Sequence, residues 1–261
     1  MISDFLIRLL YALFFVQLIL PLYGQKLEVE GDIDVRNNQI KNLADPTDPQ
    51  DAITKNYLLN FGISLVGIQG MLDAGYDPFD LLAAGISKDS LYGMMYQGGL
   101  IFYLDDHDTV PSIKGMVAAP PGWDGINNPD PTPEWGCNGI DLPDVPNVAV
   151  DPPVGPGARI GDGISNTTEI LVNCPSSPVA LACTGYMGGG FADWFVPSVA
   201  ELKEIYFNLH LNGFGEFITN VYWSSTEVSS TNVWTMYFGD GDQISGSKFN
   251  FFISVRPVRT F

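Results

Sequence analysis

Residues 188–202 read Gly-Gly-Gly-Phe-Ala-Asp-Trp-Phe-Val-Pro-Ser-Val-Ala-Glu-Leu. Pro197 marks a boundary, Ser198 with Glu201 forms the Ser-x-x-Glu capping device, and Leu202, Ile205, Tyr206 and Leu209 recur at helical spacing, so a helix starts here. On the C-terminal side the pattern changes to short strands, Val221 to Thr226, Val233 to Phe238 and Ile253 to Arg259, separated by Gly, Ser and Asp clusters. On the N-terminal side Asn166-Thr167-Thr168-Glu169 repeats the capping device before Ile170 and Leu171, which predicts a second helix with Asn166 as its N-cap. Further upstream, Gln97 to Leu104 reads as a buried strand and Lys114 to Ala119 as its hairpin partner. Eleven of the 19 prolines fall between Pro111 and Pro156, so the middle is a long irregular excursion. Short antiparallel strands, two helices and long loops make the expected class α+β.

The chain has 261 residues, with 12 Lys plus Arg against 30 Asp plus Glu and a formal charge of −18. That balance excludes a nucleic-acid partner, which needs a basic face to neutralise phosphates, and polybasic docking to an anionic membrane. With 46% apolar and 16% charged residues the chain suits a loop-rich globular domain better than a disordered acidic tail.

Leu9 to Leu22 is almost unbroken apolar sequence between Arg8 and Tyr23-Gly24-Gln25, the layout of a secretory signal cut after Gly24. At about 14 residues and with Pro21 inside, it is short for a bilayer span of about 20. No membrane insertion is expected after cleavage, and the mature protein is expected to be secreted or surface-bound, or carried on a virion. Residues 1–24 are thus a signal peptide. Residues 25–60 hold a strand, Leu27 to Val35, alternating apolar and acidic, then a link. In that link Ile40, Asn42, Leu43, Pro46, Asp51, Ala52, Thr54, Lys55 and Tyr57 are spaced as in an element of phage tail fibres and trimeric surface fibres, which the link resembles. Residues 61–93 form a short helix and a connector of two ten-residue units, Ala74 to Leu81 and Ala84 to Leu91. Ile53, Tyr57, Phe61, Leu65, Ile68 and Leu72 form an apolar stripe that fits either a homotrimer seam or an amphipathic helix packing on its own domain. Residues 94–261 are the head.

Three cysteines, Cys137, Cys174 and Cys183, allow one bridge and one leftover thiol in an oxidising compartment. Three pairings are open; the shortest loop, Cys174 with Cys183, is the expected one. No cofactor is expected, and no metal. Neither His107 nor His210 stands at zinc-ligand spacing from a cysteine, and Asp105-Asp106-His107-Asp108 reads as a solvated turn before a cation site. Asp240-Gly241-Asp242 departs from the EF-hand pattern at Ile244 and Ser245. Neither histidine has a nucleophile motif around it, and Glu201 has a capping role, so the chain does not read as an enzyme; a carboxylate-dependent hydrolase is the weakest of three readings.

Taken in order, residues 188–202, then Tyr222-Trp223-Ser224-Ser225-Thr226-Glu227, Trp234, Phe238 and Val255-Arg256-Pro257-Val258-Arg259-Thr260-Phe261 resemble the C-terminal domain family of the Legionella collagen-like protein. Gln97 to Leu104 and Glu134-Trp135-Gly136-Cys137 also fit. The resemblance implies a C-type-lectin-like head whose first and last strands pair and whose long loops display a binding surface. Members are exported, and the family's named protein is a trimeric adhesin for sulfated glycans. That ligand does not carry over to a head of charge −18 whose last 60 residues hold only Lys203, Lys248, Arg256 and Arg259. The Glu-Pro-Asn and Trp-Asn-Asp motifs of calcium-dependent lectins are absent. Trp194, Trp223, Trp234, Phe238, Val255 and Val258 are expected core, and Asp193 and Glu227 are expected partners of backbone amides or of the late arginines.

The expected ligand-binding residues lie between these fixed points: Val228, Ser229, Ser230, Thr231, Asn232, Thr235, Tyr237, Asp240, Asp242, Ile244, Ser245, Ser247, Phe249, Asn250 and Phe251. Aromatic area mixed with small hydrogen-bonding residues resembles an adaptable paratope. The expected partner is an extracellular glycan or protein, and the alternative is a structural fibre tip or envelope component with the same residues buried at a subunit contact. In some relatives of the fold this stretch is diversified by a retroelement substituting at adenines. Val228 to Asn232, Ile244 to Ser247 and Phe249 to Ser254 are of encodable types, Lys248 and Met236 are not, and ordinary drift of a surface loop explains the pattern equally.

Overall fold

The protein is described by a computed structural model that covers residues 66–105, 113–125 and 129–261. The signal segment, the strand at 27–35, the tail-fibre-like link, the stripe from Ile53 to Leu65 and Asp106, His107 and Asp108 lie outside the described residues.

The two ten-residue units repeat in structure as they do in sequence. Gly75 and Gly85 adopt φ of 91° and 94°, which only glycine takes without strain. Each ends a helical turn with the same bonds, Gly75 and Tyr76 N–H to Leu72 and Met71, Gly85 and Ile86 N–H to Leu82 and Leu81. Asp77 then caps α1 (Pro78–Ala83) and Ser87 caps α2 (Lys88–Leu91). Met71, Leu81 and Leu91 are buried in the main core, together with Leu72 and, at its margin, Ile68. These residues, including the described end of the apolar stripe, are therefore packed as part of the head.

Met95–Tyr96 (β1), Gly99–Leu104 (β2), Gly115–Ala118 (β3) and Val258–Thr260 (β7) form an antiparallel sheet in that order. The expected hairpin is present, with Leu100 opposite Ala118. The terminal strand pairs with β3, Val117 opposite Arg259, and not with β2 as pairing of first and last strands implied. Val221–Glu227 (β4), Asn232–Tyr237 (β5) and Gln243–Ser247 (β6) form a second antiparallel sheet. Strand β6 has no apolar alternation to announce it, because it is an edge strand with one side open. The expected strand over 253–259 is split: Ser254 lies beside Val221 and Trp223, its N–H and C=O bonding both, while the chain crosses to the first sheet through Pro257.

Helix α5 (Val199–Asn208) begins with the predicted capping box: Ser198 Oγ accepts the Glu201 N–H at 3.2 Å and Glu201 Oε2 accepts the Ser198 N–H at 2.8 Å. Helix α3 (Asp162–Asn173) corrects the second capping assignment. Its N-cap is Gly161, five residues before Asn166, because Glu201 reaches across from α5 and accepts the Gly161 and Gly163 N–H groups at 2.8 and 3.3 Å. Asn166 lies inside the helix, buried, with its amide donating to Gly157 O and Ser225 Oγ.

The disulfide assignment is corrected as well: Cys137 pairs with Cys174, and Cys183 is a free buried thiol. Cys183 shares the inward face of α4 (Pro178–Thr184) with Val179 and Ala180, so it points into the core. The Glu134–Cys137 segment docks where α3 meets α4, with Val179 N–H on Glu134 O and Ser177 Oγ on Trp135 O at 2.7 Å, which delivers Cys137 to Cys174. The tryptophans expected in the core are there, at 5% exposure or less, together with Trp135. Their indole N–H groups find carbonyls, Trp135 that of Ser224, Trp223 that of Pro133 and Trp234 that of Val148, and so stitch the irregular middle onto the second sheet.

Candidate functional site

Apart from Thr235 and Ile244, which pair at its middle, the expected binding residues lie towards the two ends of β5, whose centre from Val233 to Met236 is buried. At the first end a tight turn, with Val228 and Ser229 N–H on Asn232 O, leads into a run of polar side chains. Ser229 Oγ lies 3.4 Å from Thr231 Oγ1, Thr231 Oγ1 donates to Asn232 Oδ1 at 2.8 Å, and Asn232 Nδ2 donates to Ser245 Oγ at 3.2 Å. Asn232 sits opposite Ser247 and Trp234 opposite Ser245, so these polar groups share one face of the β5–β6 pair. These internal bonds preset the hydrogen-bonding groups of the run, so a partner would meet them without a large ordering cost.

Beyond Ser247 the chain forms an exposed aromatic loop. Phe249, Phe251 and Phe252 are 59%, 49% and 81% exposed, and Phe249 meets Phe251 edge to face at 5.2 Å. The loop is shaped by its own polar atoms: Asn250 Oδ1 accepts the Phe252 N–H at 2.8 Å and Ser247 Oγ the Phe249 N–H at 3.3 Å. Asn220 Nδ2 holds its far end through Phe252 O and Ser254 Oγ. Ile253 then turns inward, and Gly246 makes room for it: a Cβ there would meet Thr235 Cγ2 at 2.8 Å and Ile253 Cδ1 at 3.4 Å.

Lys248, between the polar run and the aromatic loop, is wholly buried. Its Nζ donates to Glu227 Oε1 and, at 3.0 Å, to Ile140 O, and stands 4.8 Å from the Trp135 ring centroid. Glu227 Oε2 accepts the Leu142 N–H at 3.3 Å. Burial holds the Glu227 carboxyl above its ordinary value, an upward shift that the lysine offsets only in part. The Thr231 carbonyl takes the Lys248 N–H at 2.9 Å and the Ser230 carbonyl takes the Gly139 N–H at 2.9 Å, so one buried pair locks the turn at 228–232, the aromatic loop and the excursion at 139–142 together.

Thr231, Ile244, Ser245, Ser247, Phe249 and Phe251 are exposed, and Ser229, Ser230, Asn232 and Asn250 half-buried around them. Thr235 leaves the binding set: it is fully buried and its hydroxyl donates to Ile244 O at 2.9 Å. Val228 packs beside Trp234 and Val199. Tyr237, Asp240 and Asp242 stand at the opposite end of β5, about 16 Å along the strand, where Asp240 Oδ1 caps its own turn on the Asp242 N–H. The sequence reasoning missed Ile140, 46% exposed and bonded through its carbonyl to Lys248, and its neighbour Asp141. Both come from the proline-rich excursion, which carries no local signal of where it docks.

The late arginines do hold structural ion pairs. Arg256 bonds Asp130 at 2.7 Å in full burial, and Arg259 grips Asp193 through two bonds of 2.7 and 3.0 Å, holding that carboxyl below its usual range. Glu227 pairs with Lys248 instead of with an arginine. Glu201, buried among amide donors, has its carboxyl pushed up to about 7. His210 packs between Tyr206 and Phe238. Among the described residues no cluster of three His, Cys, Asp or Glu side chains could hold a metal ion, and no helix is long and apolar enough to cross a membrane. No family model matches the chain, and no curated protein matches it.

Proposed function

We propose that the chain is an exported protein, secreted, surface-bound or carried on a virion, with a C-type-lectin-like head that binds a glycan or protein ligand through residues 228–232 and 243–252. The observation that carries this reading is the pairing of exposed Phe249, Phe251 and Phe252 with the polar run from Ser229 to Ser245 on a base fixed by the buried Lys248–Glu227 pair. Rigid aromatic area with adaptable hydrogen bonding on a preset scaffold is the physics of a binding surface, and it makes and breaks no bond. Met236 and Lys248, which fall outside the adenine-substitution pattern, are both buried, while of the fifteen residues in the encodable stretches seven are exposed, six half-buried and two buried, which supports a loop that varies on a constant frame.

Glycan and protein arrays probed with the full chain test the reading, followed by hydrogen exchange of the captured complex. Protection confined to 228–232 and 243–252 supports it, and protection elsewhere or no capture contradicts it. The structural alternative, a trimer cap, is favoured by the same exposed rings, which another copy of the chain could cover. It predicts a concentration-dependent change in sedimentation that is lost when the three phenylalanines become serine.

A further inference from the structure

The last 58 residues, 204–261, contain three side-chain cations other than His210, and each is buried, held by one carboxylate and one aromatic ring. Lys248 has Glu227 and Trp135, with the ring centroid at 4.8 Å. Arg256 has Asp130 and Phe217 at 4.2 Å, and Arg259 has Asp193 and Phe191 at 3.8 Å. The ligand face therefore offers no exposed cation from this segment. What it offers is exposed aromatic and acidic groups on either side of one buried contact: Phe249, Phe251 and Phe252 follow Lys248 in the chain, and exposed Asp141 follows Ile140, whose carbonyl accepts from Lys248 Nζ at 3.0 Å. Asp141 lies close enough to Glu227 to raise its pKa, and one of its oxygens takes the Asn147 amide at 2.7 Å. Asp240 and Asp242 keep the far end of β5 anionic as well.

Resting on the binding reading above, we propose that the ligand of this face is a cationic protein segment, rich in Arg or Lys, in preference to a neutral or acidic glycan. Cations stack on aromatic faces and pair with rim carboxylates, and a chain of charge −18 steers such a partner inward while repelling polyanions.

The test uses the full chain on a sensor surface against three twelve-residue peptides, alternating Arg–Ser, Gln–Ser and Glu–Ser, and against heparin. The proposal expects capture of the Arg–Ser peptide alone, weakened tenfold or more in F249S/F251S, which changes no charge, and several-fold in D141N. Phe252→Ser, at the most exposed ring, serves as a second aromatic variant should the double variant melt early. Equal capture by the aromatic variants would show mere attraction to the net charge and overturn the proposal. So would preference for the neutral peptide or heparin. A neutral glycan found on the arrays and lost in F249S/F251S would overturn this inference while leaving the binding reading standing.

Discussion

Lys248 Nζ donates to Glu227 Oε1 with both side chains at 0% exposure, directly beneath a loop whose next residue, Phe249, is 59% exposed. The most buried charge of the second sheet and its most open aromatic surface are adjacent in the chain. Breaking the pair from one side leaves a carboxylate in the interior without its partner. Lys248→Met is expected to cost about 3–5 kcal/mol in urea unfolding, and the double variant Lys248→Met/Glu227→Leu to recover a large part of that loss. Equal loss in the double variant would show that the pair itself, and not the stranded charge, carries the stability.

The Glu201 carboxyl, buried beneath the starts of α3 and α5, is raised from its ordinary value to about 7. A carboxyl raised by folding stabilises the native state fully below its unfolded pKa and loses that contribution as pH rises through the folded one. Stability is therefore expected to fall between about pH 4.5 and 7 by about 3 kcal/mol on this account. The difference between wild type and Glu201→Gln, followed by chemical unfolding across that window, isolates the effect from the other carboxylates. A flat difference would contradict it.

The Cys137–Cys174 bridge closes a loop with a sequence separation of 37. Its removal by Cys137→Ser is expected to destabilise by about 4 kcal/mol on the loop-entropy estimate. Cys183 has its thiol pushed up by burial, so alkylation of the native protein should leave it unmodified, and modification should appear only on unfolding. Peptide mapping without reduction that finds Cys174 joined to Cys183 would overturn the assignment.

Gly246 sits where a side chain would press on Thr235 and Ile253. Gly246→Val is expected to lose about 1–3 kcal/mol by overpacking and to push the aromatic loop outward, read as faster amide exchange over 249–252.

The elements that the sequence made legible are those whose determinants are local. The Ser198–Glu201 capping box, the hairpin of β2 and β3 and the buried tryptophans follow from spacing and residue type alone. The start of α3 was not legible, because its capping carboxylate comes from Glu201, 40 residues downstream of Gly161. The disulfide followed the docking of Glu134 to Cys137 onto α4, a contact with no local signature. At the candidate site the exposed phenylalanines and polar turn were readable from composition. Thr235 was not, since its strand is buried on both faces, and Ile140 joins the site across a separation of 108 residues.

The central claim is that the open aromatic loop binds while the buried pair beneath it only holds the loop in place. Replacing Phe249, Phe251 and Phe252 together by serine, with Lys248 retained, is expected to change stability by no more than about 0.5 kcal/mol per substitution. The most direct measurement is the affinity of this variant for a ligand captured by the wild-type chain, taken beside its melting temperature. A hundredfold or greater loss of affinity at unchanged melting temperature is the predicted result; retained affinity in a folded variant would contradict the account.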